Sequence, residues 1–202
     1  MTKLDVTKAV LGVDRRLEVT EDPRHRQILE NYRRHGLLEV SGRWPEILDP
    51  AMTVEHPVYR ITEGGRSLLL DGREQVQEFY RGMTEAGAPV MILEDEKIAV
   101  ADWGFVSESI FNHYAPGGFL LASGEDVDDP DAWYLLRHRM AMIWHYDDRA
   151  RMIGEHVYED ATSREITKLA PEDVVTPEEA REALAPLIRP LPDLLTEVGS
   201  HP

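Results

Sequence analysis

The chain has 202 residues, enough for one domain with a sizeable core plus an extension. Its net charge of -16 argues against nucleic acid or an anionic membrane as partner, since both demand clustered Lys and Arg. It has no cysteine, which excludes disulfides and thiolate chemistry and fits a cytoplasmic location, and no apolar run is long enough to span a bilayer.

Residues 1–22 form a polar lead-in without the apolar core of a signal peptide. Asp22-Pro23 marks a helix start, with proline at the first helical position. The helix runs to about Val40, and Ile28, Tyr32 and His35 share one face, with Leu29, Gly36 and Leu37 beside them. Ser41-Gly42 breaks it, and residues 44–48 read as a short second helix closed by Asp49-Pro50. Residues 52–61 are the first strand candidate. Met52, Val54, His56 and Val58 alternate onto one side, and Pro57 argues for an edge or a bulge.

After a turn at Glu63-Gly64-Gly65, Asp71-Gly72-Arg73-Glu74 resembles a capping box. The helix behind it repeats Val76, Phe79, Tyr80 and Met83 at helical spacing and ends at Gly87. Residues 90–93 and 97–101 read as short extended pieces. Asp102-Trp103-Gly104 is a turn, and residues 105–114 form a long strand with Phe105, Ser107, Ser109, Phe111 and His113 on one face. Residues 116–130 are a long insertion, a lid or, preferred here, a solvated hairpin tip.

Residues 133–160 carry the densest signal: two strands joined by Asp147-Asp148-Arg149. Strict alternation puts Tyr134, Leu136, His138, Met140, Met142, Trp144 and Tyr146 on one face of the first. It puts Met152, Gly154, His156 and Tyr158 on one face of the second, with Glu155 opposite. The composition shifts after Asp160. Thr176-Pro177-Glu178-Glu179 is a capping box, that helix stops near Pro186, and Pro190 and Pro192 favour an extended tail. Residues 23–160 are thus read as the domain and residues 161–202 as an appendage on it or on a second subunit.

Several phrases resemble the nuclear transport factor 2-like superfamily. MIGEHVYED after an aromatic-rich strand is similar to its end, ILENYRRHGLLEVSGRWPEIL with MTVEHPVY to its first helix and strand, and LDGREQVQEFYRGM to the next helix. SnoaL-like polyketide cyclases, ketosteroid isomerase, scytalone dehydratase and limonene epoxide hydrolase share that fold. The resemblance implies an α+β fold: a cone-shaped, curved antiparallel sheet wrapped around helices, a cystatin-like α+β barrel. A pocket would lie between the concave sheet face and the first helix, with homodimers formed through the outer face. The aspartate base of the isomerase and the SnoaL-type cyclases has no counterpart at a strand-interior position here. The His and Tyr content is closer to scytalone dehydratase.

The expected chemistry is acid–base. His56, His138 and His156 come from three strands and would converge with Tyr32, Tyr134 and Tyr158. A histidine can move a proton beside a carbonyl, and a tyrosine can donate to a developing enolate oxygen. Met140, Met142, Trp144, Phe111 and Trp103 would form the apolar wall for a small apolar carbonyl or hydroxyl substrate. The expected activity is a lyase, isomerase or cyclase without cofactor. Three imidazoles could instead hold zinc, but their spacing does not preorganise ligands, so no metal is expected. The plain alternatives are core histidines satisfied by backbone carbonyls, and a non-catalytic small-molecule binder or dimeric interaction module. No phosphate loop, GxSxG or HExxH is present.

Overall fold

A computed structural model describes residues 3–195. One long helix, α2 (Pro23–Val40), lies against a six-stranded sheet. The other elements are α1 (Leu11–Glu18), β1 (Val58–Glu63), β2 (Arg66–Asp71), α3 (Arg73–Glu85), β3 (Met91–Ala101), β4 (Gly104–Pro116), α4 (Gly117–Ser123), β5 (Trp133–Tyr146), β6 (Met152–Lys168) and α5 (Pro177–Leu184). The helix starts as its sequence predicts: Asp22 accepts the backbone N–H of His25 at 2.9 Å, and Pro23 occupies the first turn. Ile28, Leu29, Leu37 and Leu38 of α2 are fully buried. No helix among the described residues is long and apolar enough to cross a membrane.

The strand order is β2-β1-β6-β5-β4-β3. The sheet is open rather than a closed barrel, and it is mixed, because β1 runs parallel to β6 while the other pairs are antiparallel. Gly154 makes the β1–β6 pairing possible, since a Cβ there would collide with the carbonyl of Val58.

Three bulges interrupt the ladders, between Glu94 and Lys97 against β4, between Arg137 and Arg139 against β6, and between His145 and Tyr146 against β6. A bulge bends its strand and reverses which residues face inward beyond it. All three decide the site.

Several elements differ from the sequence expectation. The first strand begins only at Val58, because the carbonyl of Pro57 is taken by Gly72 N–H and residues 52–54 make only isolated bonds to Met152. RSLLLD forms β2, an edge strand whose Leu68 and Leu69 stay exposed, so its pattern shows no alternation. The two short pieces after α3 are one strand, β3, joined across a bulge where Asp95 has φ 51°. The insertion after β4 is no hairpin tip: it holds α4, whose Leu120 packs with Ala115, Tyr134 and Leu136. β6 does not stop at Asp160 but continues to Lys168.

The lead-in and the C-terminal residues both pack on the domain. α5 is capped by Thr176, which accepts Glu179 N–H. Arg189 clasps both carboxylate oxygens of Glu30 at 2.8 Å, and Leu194 N–H donates to Gln27. The extended tail expected past Pro192 lies mostly outside the described residues.

Candidate functional site

The concave sheet face, α2 and the lead-in enclose a cavity of about 460 Å³. Its most exposed lining residues are Gly64, Arg66, Ser67 and Leu68, so it opens beside the β1–β2 turn. The walls are apolar and aromatic: Phe111, Met140, Met142 and Trp144 from the sheet, Phe79 and Met83 from α3, Val10 and Val13 from the lead-in.

His138 sits at the mouth end, with its side chain 1% exposed. Its Nδ1–H donates to Glu159 Oε1 at 2.6 Å. That leaves Nε2 free, 3.7 Å from Glu63 Oε1. Glu159 also accepts Arg164 Nε–H at 2.6 Å and Gly64 N–H at 2.7 Å. Burial pushes the Glu159 pKa upward, but the bonds from Arg164, His138 and Gly64 outweigh it and hold the carboxylate below its ordinary value. Arg164 further reaches Glu125 at 2.5 Å and Glu63 at 3.7 Å. Burial raises the Glu63 pKa against the charges of His138 and Arg164. An imidazole held by an ionised carboxylate at one nitrogen, with the other facing a cavity, is an acid–base arrangement.

The bulge opposite His138 brings Arg164 there. Arg137 pairs with Glu165 and Arg139 with Asp160, so residues 161–164 loop out of the ladder. Ser163 Oγ accepts the Arg139 N–H at 2.7 Å, supplying the bond the bulge removes.

Tyr32, from α2, donates to Glu96 Oε1 at 2.6 Å. The β3 bulge re-aims Glu96 inward, since Asp95 and Glu96 together oppose Ser109. Burial drives the Glu96 pKa to about 7, against the hydrogen bond from Tyr32 and the Val13 N–H at the start of α1. Gly12 allows this approach, because a Cβ on it would overlap the Glu96 side chain.

Of the residues singled out from the sequence, Tyr32, Phe111, His138, Met140, Met142 and Trp144 line the cavity. The rest do not. His56 lies outside the sheet, 69% exposed at its side chain, and bonds Asp71 at 2.7 Å. Trp103 is 47% exposed in its turn, against the His145 ring. Tyr134 is buried beneath α4 and donates to Asp128 at 2.5 Å. His156 and Tyr158 point to the outer face, where Tyr158 is 44% exposed.

The bulge at Ile153 explains that last reversal. Met152 pairs with inward Tyr146, but Gly154 pairs with outward His145, so Glu155, Val157 and Glu159 face in. The isolated glycine at 154 was the available signal, because a glycine inside a strand pattern marks a bulge. The residues that sequence reasoning missed are therefore carboxylates and their partner: Glu63, Glu96, Glu155, Glu159 and Arg164. His35 and His113, not His56 and His156, are the other imidazoles on the cavity wall. His113 bonds the Ala88 carbonyl at 2.8 Å, and burial lowers its pKa.

No family model matches this chain, and no curated protein matches it in sequence. Solved structures do. A candidate SnoaL-like polyketide cyclase from Jannaschia sp. CCS1 superposes with TM-score 0.54 at 16% identity, over 71% of this chain and 92% of that one. An NTF2-like protein from Anabaena variabilis gives 0.51 at 14% identity, over 72% and 96%. A candidate polyketide cyclase from Xanthomonas campestris pv. campestris gives 0.51 at 14%, over 69% and 94%. At these identities the likeness concerns fold. The chain has the cone-shaped α+β fold of the nuclear transport factor 2-like superfamily, the SnoaL-like group included.

Proposed function

We propose that the cavity carries out acid–base chemistry on a small, largely apolar carbonyl or hydroxyl compound: isomerisation, dehydration or ring closure, using only groups of this chain. The observation that carries this reading is the His138–Glu159 pair. Glu159 fixes the imidazole with Nδ1 protonated, so Nε2 can take a proton from carbon next to a carbonyl and return it elsewhere. Glu159 then stabilises the imidazolium. Tyr32 donates its hydroxyl hydrogen bond to Glu96, so this pair acts as one unit, orienting a substrate oxygen when Glu96 is protonated. Met140, Met142, Phe111 and Trp144 exclude water. The two candidate cyclases among the structural neighbours are in keeping with such chemistry. An open cavity of about 460 Å³ favours a ligand-handling role over a purely structural module, whose interior its own side chains would fill.

A thermal-shift screen of polyketide, steroid and terpenoid compounds should find ligands, because a cavity binder stabilises the native state by mass action. On a substrate so found, His138→Asn should lower kcat by about 10²–10⁴, and His156→Ala should leave it unchanged. Full activity in His138→Asn overturns the assignment. The same reading includes a homodimer through the outer sheet face, which exposes Val106, Ile153 and Tyr158. Light scattering on size-exclusion peaks should show a dimer that Val106→Asp with Tyr158→Glu disperses.

A further inference from the structure

The chemistry above leaves one buried group of the cavity unexplained, at the end away from the mouth. Glu155 enters from β6, four residues before Glu159, which on an extended strand is about 13 Å away. It is 8% exposed, lines the cavity, and has no hydrogen-bond partner among the described residues.

Several polar groups surround Glu155. Tyr59 of β1 and Tyr80 of α3 share a hydrogen bond of 3.1 Å, and Tyr80 is bonded to His35 of α2 at 2.9 Å. Tyr32 of α2 is committed to Glu96. From β5, the Tyr146 hydroxyl and the Trp144 indole N–H have no hydrogen-bond partner among the described residues, and both atoms are buried. Glu39 of α2 lines the same end, 3.4 Å from His35. The two arginines of the lining, Arg66 and Arg164, are not at this end. Arg164 is spent on Glu159, Glu125 and Glu63, and Arg66 sits in the β1–β2 turn region at the opening. Two carboxyl groups therefore face one apolar space, and among the described lining residues no Lys or Arg stands between them, His35 beside Glu39 being the basic group at this end.

We propose that Glu155 and Glu39 form an ammonium subsite, holding the amine of an otherwise apolar ligand whose far end reaches His138. The inference rests on the acid–base reading of this pocket and specifies its substrate class. An ammonium supplies what the site lacks, a positive charge with several N–H donors. In the empty cavity burial, reinforced by the charge of Glu39, pushes the Glu155 pKa well above its ordinary value. Seating R–NH3+ beside it favours the carboxylate, so any proton the carboxyl carries leaves to solvent. A neutral ligand of equal shape releases none.

The test is calorimetry at pH 7 in two buffers of different protonation enthalpy, with 2-(1-naphthyl)ethylamine and its alcohol analogue 2-(1-naphthyl)ethanol. The amine should bind about tenfold or more tighter and release up to about one proton. Glu155→Gln should bring the two ligands level and abolish the proton release, and Glu39→Gln should narrow the preference. An amine that fails to bind, an alcohol that binds equally well, or proton release that survives Glu155→Gln overturns the subsite. Failure of the acid–base reading would appear separately, as turnover retained in His138→Asn with these binding results intact.

Discussion

Replacing Glu96 by glutamine should change how stability depends on pH, in a direction the structure sets. The carboxyl titrates near 4.5 in the unfolded chain and at about 7 in the folded protein. Below pH 4.5 both states hold the proton. Between 4.5 and 7 only the unfolded chain releases it, so folding is progressively disfavoured, and above 7 the deficit stays constant. At about 1.4 kcal/mol per pH unit, that interval is worth about 3 kcal/mol. Glutamine keeps an acceptor for Tyr32 and removes the titration. The variant should thus match the wild type near pH 4.5 and gain on it by about 3 kcal/mol by pH 8. Urea denaturation at constant ionic strength from pH 4 to 8 measures this, and groups shared by both proteins largely cancel in the difference. A difference that does not change with pH would refute the placement of Glu96 in a desolvated niche between α1 and α2.

Gly12→Ala should destabilise by about 1–3 kcal/mol through the collision with Glu96, although alanine is the better helix former. Gly82→Ala in α3, where a Cβ meets nothing within 4 Å, should stabilise by up to about 1 kcal/mol, and thermal melts compare the two. Glu159→Gln should cost about 2–4 kcal/mol at neutral pH by unpairing His138 and part of Arg164. Because the folded pKa of Glu159 is depressed, that loss should be full above about pH 4.5 and shrink as pH falls through the folded value, read by the same denaturation series.

The sequence by itself determined the elements whose signals are local. Asp22-Pro23 and Thr176-Pro177 set helix starts by capping, and the aromatic alternation of residues 133–146 defined β5 and its inward face. The inward residues of β5, among them His138 and Trp144, were legible because nothing interrupts that strand's own period of two. The superfamily fold was legible for the same reason, as an order of such elements. The other half of the site was decided by tertiary structure. Whether Glu155 or His156 faces the cavity depends on one unpaired residue, Ile153, where the register of β6 against β5 shifts. Likewise Glu96 turns inward, and Arg164 returns to Glu159, through irregularities defined by a neighbouring strand. Period-two reasoning carries a face assignment only as far as the next bulge, and here Glu96, Glu155 and Glu159 each lie beyond one or beside one.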